Sequence, residues 1–138
     1  MKVLILEDDF DLVQSWRDKF EQAGIETVHV HGATEGLAQI QHDHVDAVIA
    51  DIFIRDDSGQ PLKDGGILLL GKMRTQLPRN AQPKTIAVSG FMPSKYSGID
   101  PLVTVENMGA DLVMRKPFRA DELVAAVLEL LQPRVENR

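Results

Sequence analysis

The chain contains no cysteine, which excludes disulfides, thiol nucleophiles and thiolate metal sites. It has no apolar run near the roughly 20 residues of a membrane-spanning helix. The opening segment, Met1-Lys2-Val3-Leu4-Ile5-Leu6-Glu7, turns acidic too soon for a secretory signal, and the expected location is the cytoplasm. A basic excess is also missing. Lys and Arg number 15 against 21 Asp and Glu, a net charge of -6. Nucleic-acid affinity rests on cations that neutralise phosphates, so direct nucleic-acid binding is not expected of this surface. No internal repeat, low-complexity tract or domain boundary interrupts the sequence.

What is present suits one folded domain. The 138 residues are 43% hydrophobic and 26% charged, ordinary values for a globular unit with a true core. Four short apolar runs stand out: Val3–Leu6, Ala47–Ala50, Thr85–Val88 and Leu112–Met114. They are too short for helices and do not alternate, as expected of strands buried on both faces of a parallel sheet. Glu26–Val30 is a weaker fifth strand. Between them the spacing turns helical. Leu12, Val13, Trp16 and Phe20 share one helix face, with Gly24 as a stop. Further helices are expected over Ala33–Gln41, over Gly66–Leu77 ahead of Pro78, over Asp100–Met108 and over Ala120–Leu131. Five β-α repeats predict an α/β fold, a three-layer sandwich. The expected form is the flavodoxin-like (βα)5 arrangement, a parallel five-stranded sheet of order 2-1-3-4-5. Two loops, 55–66 and 90–99, are long enough to suggest function.

Ligands of open α/β sheets bind beyond the carboxyl ends of the strands. The first strand delivers Glu7 and Asp8 there, with Asp9 next. The third delivers Asp51, the fourth Ser89-Gly90 and the fifth Lys116-Pro117-Phe118. Clustered carboxylates repel one another, and a hard divalent cation such as Mg²⁺ relieves that repulsion through oxygen ligands. Asp51 could then act as an oxygen nucleophile on phosphorus. Lys116 and Ser89 would stabilise the equatorial oxygens of the transferring group.

Four segments, Val3-Leu4-Ile5-Leu6-Glu7-Asp8-Asp9, Val48-Ile49-Ala50-Asp51, Ile86-Ala87-Val88-Ser89-Gly90 and Gly109-Ala110-Asp111 leading to Lys116-Pro117-Phe118, together resemble the response-regulator receiver domains of two-component signalling. The resemblance covers almost the whole chain, in the family's order. It implies that Asp51 is the phospho-acceptor and that Ser89 and Lys116 contact the phosphoryl group. It also implies that Glu7, Asp8, Asp51 and the backbone carbonyl of Phe53 surround Mg²⁺, and that the Lys116–Pro117 bond is cis. The implied donor is a sensor histidine kinase or a histidine phosphotransfer protein. Residues 1–133 would form the receiver, with a frayed tail over 134–138 and no output domain. Output would then pass to a downstream protein target. A homodimer could form through the face made by the fourth predicted helix, the fifth strand and the fifth helix. Such a protein promotes its own phosphorylation and dephosphorylation without being a multiple-turnover enzyme.

Departures from the family pattern cluster at the rim. Val113 stands where the family usually has an aromatic ring, and Arg55 where it usually has proline. Gly65-Gly66 arrives only after an insertion. Phe53 and Phe91 fall at positions that flank the phosphoryl group and are expected to slow attack by water. An aspartyl phosphohydrolase would use a similar set, but it needs a second aspartate where Phe53 stands. A degenerate receiver that only docks partners is the other alternative. Taken singly, the same residues have plainer uses. Acids suit a helix N-terminus, and Ser-Gly suits a turn. The histidines at 29, 31, 42 and 44 read as solvated side chains.

Overall fold

A computed structural model describes residues 1–52, 65–90 and 106–133. The strands are β1 (Lys2–Leu6), β2 (Glu26–Val30), β3 (Ala47–Asp51), β4 (Lys84–Ser89) and β5 (Leu112–Arg115). All pair in parallel, in the order β2-β1-β3-β4-β5. The expected order therefore holds. Among the described residues the helices are α1 (Phe10–Gln22), α2 (Ala33–His42), α3 (Gly66–Gln76) and α4 (Ala120–Leu131), with a short 3-10 turn at Arg79–Ala81. The predicted Asp100–Met108 helix lies mostly outside the described residues, as do the long loops and the 134–138 tail.

Successive strand residues point to opposite faces, and here both faces are apolar. Val3, Ile5, Ala47, Ile49, Ile86 and Val88 pack with Val13, Trp16 and Phe20 of α1 and with Leu123, Val124 and Val127 of α4. Leu4, Leu6, Val48 and Ala50 face the other way, toward Ala33, Leu37 and Ile40 of α2 and Leu69 and Met73 of α3. This is why the strand sequences do not alternate. The last helix turns Leu123, Val124 and Val127 fully inward, whereas Leu130 is only partly buried. Leu128 and Leu131 of the same helix, partly buried, also pack on the core.

Local sequence sets the ends of α1. The Asp9 side chain accepts a hydrogen bond from Leu12 N at 3.1 Å, an N-cap. At the other end Gly24 takes φ +75°, and Ile25 N donates to Phe20 O at 2.9 Å, closing the helix with a glycine in the left-handed region. Replacing Asp9 with alanine should lower stability by about 1 kcal/mol, while Asp9→Asn, also a good cap, should stay near wild type. Urea denaturation midpoints check this, and an equal loss in both variants would point to charge rather than capping.

Candidate functional site

The carboxyl ends of β1, β3, β4 and β5 converge as expected. Glu7 follows β1 and is 1% exposed, Asp51 ends β3 at 3%, and Ser89 ends β4 at 1%. Asp8 is exposed beside them. Carboxylate oxygens of Glu7, Asp8 and Asp51 lie within 4.8 Å of one another. Lys116 completes the group. Its Nζ donates to Glu7 Oε2 and to Asp51 Oδ2, each at 2.9 Å. Residues from opposite ends of the chain thus meet in one ion-paired cluster.

The fold explains how each arrives. Ile52 N donates to Val88 O and extends the β3–β4 ladder past Asp51. Lys116 N donates to Ser89 O at 2.9 Å, continuing the β4–β5 ladder by one residue. The Lys116–Pro117 peptide is cis, as the family resemblance implies. Upstream, Asp111 pins the start of β5: its Oδ2 accepts from Thr85 N at 2.8 Å, and its own N donates to Thr85 O.

Burial sets the electrostatics. The Glu7 carboxyl is pushed up to about 8, first by desolvation and then by the Asp51 carboxyl beside it, with Lys116 acting in the opposite direction. Burial alone would lower the Lys116 ammonium, but its hydrogen bonds to Glu7 and Asp51 outweigh that and raise it. Among the described residues the Lys116 ammonium contacts both buried carboxyls, with the Asp8 carboxyl beside them at the rim. The donor set is all oxygen, with no nitrogen or sulfur ligand in the group. It fits a hard divalent cation of the Mg²⁺ kind rather than a softer metal. The backbone of Phe53, the remaining expected metal ligand, lies outside the described residues, as does Phe91.

A match to the family model for the response regulator receiver domain spans residues 3–128. The chain belongs to the response regulator receiver domain family. The receiver is similar to the transcriptional regulatory protein PrrA of Mycobacterium tuberculosis, 29% identical over 133 residues, covering 96% of this chain and 51% of that protein. It is also similar to the sensory transduction protein RegX3 of Mycolicibacterium smegmatis, 24% identical over 135 residues, with 98% and 52% covered. The chain thus spans about half the length of these curated relatives. Among solved structures, the receiver domain of Francisella response regulator 1452 superposes with a TM-score of 0.74 at 28% identity, covering 94% of this chain and 95% of that one. A CheY-like receiver from Methanospirillum hungatei gives 0.73 at 28%, covering 94% and 92%.

Sequence reasoning missed one neighbour of the receiver's site. His29 Nε2 donates to the Glu7 carbonyl oxygen at 2.8 Å, and its ring lies against that of His31, with centroids 4.7 Å apart. The available signal was strand register, since β2 runs beside β1 and ends level with it. Val113, at the position usually aromatic in the family, packs instead with Ile52, Leu70, Ala87, Met108 and Ala110. Among the described residues no helix is long and apolar enough to cross a membrane.

Proposed function

We propose that this receiver accepts a phosphoryl group on Asp51 from a phosphohistidine of a sensor kinase or a histidine phosphotransfer protein. The observation that carries the reading is Lys116 Nζ at 2.9 Å from both Glu7 and Asp51, beside an oxygen-only cluster with Asp8. Glu7, Asp8 and Asp51 would hold Mg²⁺, with the Phe53 carbonyl as a further ligand. Bound there, the ion would supply positive charge against the oxygens of the transferring group.

The chain's own residues supply the rest. An Asp51 carboxylate oxygen forms the new O–P bond while the N–P bond of the donor breaks. The donor imidazole keeps that electron pair and takes a proton from solvent. Lys116 exchanges part of its contact with Asp51 for the incoming phosphoryl oxygens, so its charge follows the charge that develops. Ser89, buried at the end of β4, offers a hydroxyl donor at the same edge. Hydrolysis of the acyl phosphate returns the carboxylate, so the protein modifies itself and is not a multiple-turnover enzyme on a separate substrate. Phosphorylation adds nearly two negative charges beside an ammonium, and the resulting shift in local structure changes protein–protein contacts in the cytoplasm.

The test is intact-mass measurement after incubation with acetyl phosphate and Mg²⁺. The expected result is a gain of one phosphoryl group in wild type and none in Asp51→Ala. A gain that survives Asp51→Ala, or its absence in folded wild type, would refute the assignment.

A further inference from the structure

We infer that Trp16 is a positioning residue for Lys116, acting through Phe118. The inference rests on the role proposed above for that lysine. Trp16 is fully buried on α1. Its ring stacks on Phe118, with centroids 5.7 Å apart and planes 15° from parallel. Phe118 is two residues beyond Lys116, across the cis Lys116–Pro117 bond. Leu12, Trp16, Lys116, Pro117 and Phe118 line one small cleft of about 170 Å³, so the lysine's own side chain borders the stack.

Besides the ion pairs of Lys116 Nζ itself, two contacts among the described residues hold the turn that carries the ammonium. One is the backbone bond from Lys116 N to Ser89 O, which ties it to β4. The other is the aromatic stack, which ties it to α1. That second anchor bears on distance. Helix α1 starts just after Glu7 and Asp8, with Asp9 as its cap. The stack therefore joins the loop bearing the cation to the element that follows the acidic pair. Aromatic pairs of this kind add to stability beyond their buried area and prefer a defined offset, so the stack restrains where the turn can sit. The indole Nε1 of Trp16 has no hydrogen-bond partner among the described residues. The ring serves by area and shape, and phenylalanine should replace it in this role.

The experiment compares Trp16→Leu, Phe118→Leu and Trp16→Phe in the full chain. Phe118 is only partly buried, so its variant tests the stack even where Trp16→Leu fails to fold. The first readout needs no phosphoryl transfer. In competitive reductive methylation without Mg²⁺, Lys116 should react several-fold faster in the folded leucine variants, with exposed Lys84 as the unchanged reference and Trp16→Phe near wild type. The second is the rate of mass gain from acetyl phosphate at saturating Mg²⁺. It should fall roughly tenfold in the leucine variants, the scale of a small misplacement. Saturating Mg²⁺ keeps the rate free of any change in metal affinity that moving Lys116 away from Glu7 and Asp51 causes. Wild-type Lys116 reactivity in folded Phe118→Leu would overturn the inference, as would an unchanged rate at saturating Mg²⁺ in that variant. Failure of wild type to gain mass would instead refute the phospho-acceptor reading, and Lys116 reactivity would still decide the role of the stack.

Discussion

Raising the pH of the metal-free protein from about 5 to about 8 is expected to lower its stability by on the order of 2 kcal/mol, and Glu7→Gln is expected to abolish most of that loss. The folded-state Glu7 carboxyl is raised to about 8, whereas in the unfolded chain it releases its proton near the ordinary glutamate value. Between those two values the folded state binds the extra proton. Stability is therefore full below the unfolded value and is lost as pH rises toward the folded one. Among the described residues, the other shifted groups titrate outside this window. Asp43 is lowered first by the hydrogen bond from Lys2. Asp46 is lowered because bonds from the Lys2 backbone and His44 outweigh its burial. Both therefore lose their contribution only as pH falls into the acid range. Lys116 is raised above 10.5 and stays charged throughout. Denaturant titrations with a chelator present, across the pH range, measure the effect. A flat profile in wild type, or an equally steep one in Glu7→Gln, would contradict it.

The same electrostatics connect stability to the proposed function. A cluster that strains to ionise in the folded state is poised to take up positive charge. Mg²⁺ that binds only the folded form should stabilise it, by about 2.7 kcal/mol at a hundredfold excess over its dissociation constant. That gain should be larger at pH 8 than at pH 6, because at the lower pH the ion competes with the Glu7 proton. Clustered carboxyls of this kind favour uptake of a divalent cation, and under the proposed function that ion would offset the negative charge a phosphoryl group brings.

Much of this arrangement was legible in the sequence, for identifiable reasons. Strands buried on both faces leave unbroken apolar runs, and Val3–Leu6 and Ala47–Ala50 each fell within a residue of the strand found. Glu7, Asp51 and Lys116 could be brought together because parallel strands deliver their carboxyl ends to one edge. What could not be read were side-chain partnerships between distant elements. Nothing in the spacing of Trp16 and Phe118 announces a stack. Arg74 likewise carries no local signal for its bonds to Gln82 Oε1 at 2.6 Å and to the Gly109 carbonyl at 2.5 Å. The first ties α3 to the segment before β4, the second to the turn before β5. The pairing of Lys2 with Asp43 and Asp46 at the opposite sheet edge is equally silent. Such contacts have no period; they are set by how elements pack.

Gly66 shows the same limit with a large expected consequence. The sequence marks it as the start of a helix and, with Gly65, as a glycine displaced from its usual family position by an insertion, but says nothing of what it packs against. In the structure a Cβ at position 66 would lie 2.4 Å from the Asp51 carbonyl oxygen, 2.8 Å from its carbon and 3.0 Å from Ile52 Cα. All three are backbone atoms of a strand end held by the bond from Ile52 N to Val88 O, so the strand has little freedom to yield. Helix α3 would have to withdraw, pulling Leu69, Leu70 and Met73 from the core they fill. Gly66→Ala should therefore cost about 3 kcal/mol, at the upper end of overpacking, and should slow phosphoryl uptake because the displaced backbone is that of Asp51 itself. Gly71, on the same helix, is the control. Among the described residues a Cβ there meets only Met108 Cε at 3.9 Å, an ordinary contact, so Gly71→Ala should stabilise by about 0.5–1 kcal/mol through the backbone entropy removed from the unfolded chain. Chemical denaturation of the two variants separates them, and a Gly66→Ala protein as stable as wild type would mean that α3 does not press on the strand carrying Asp51.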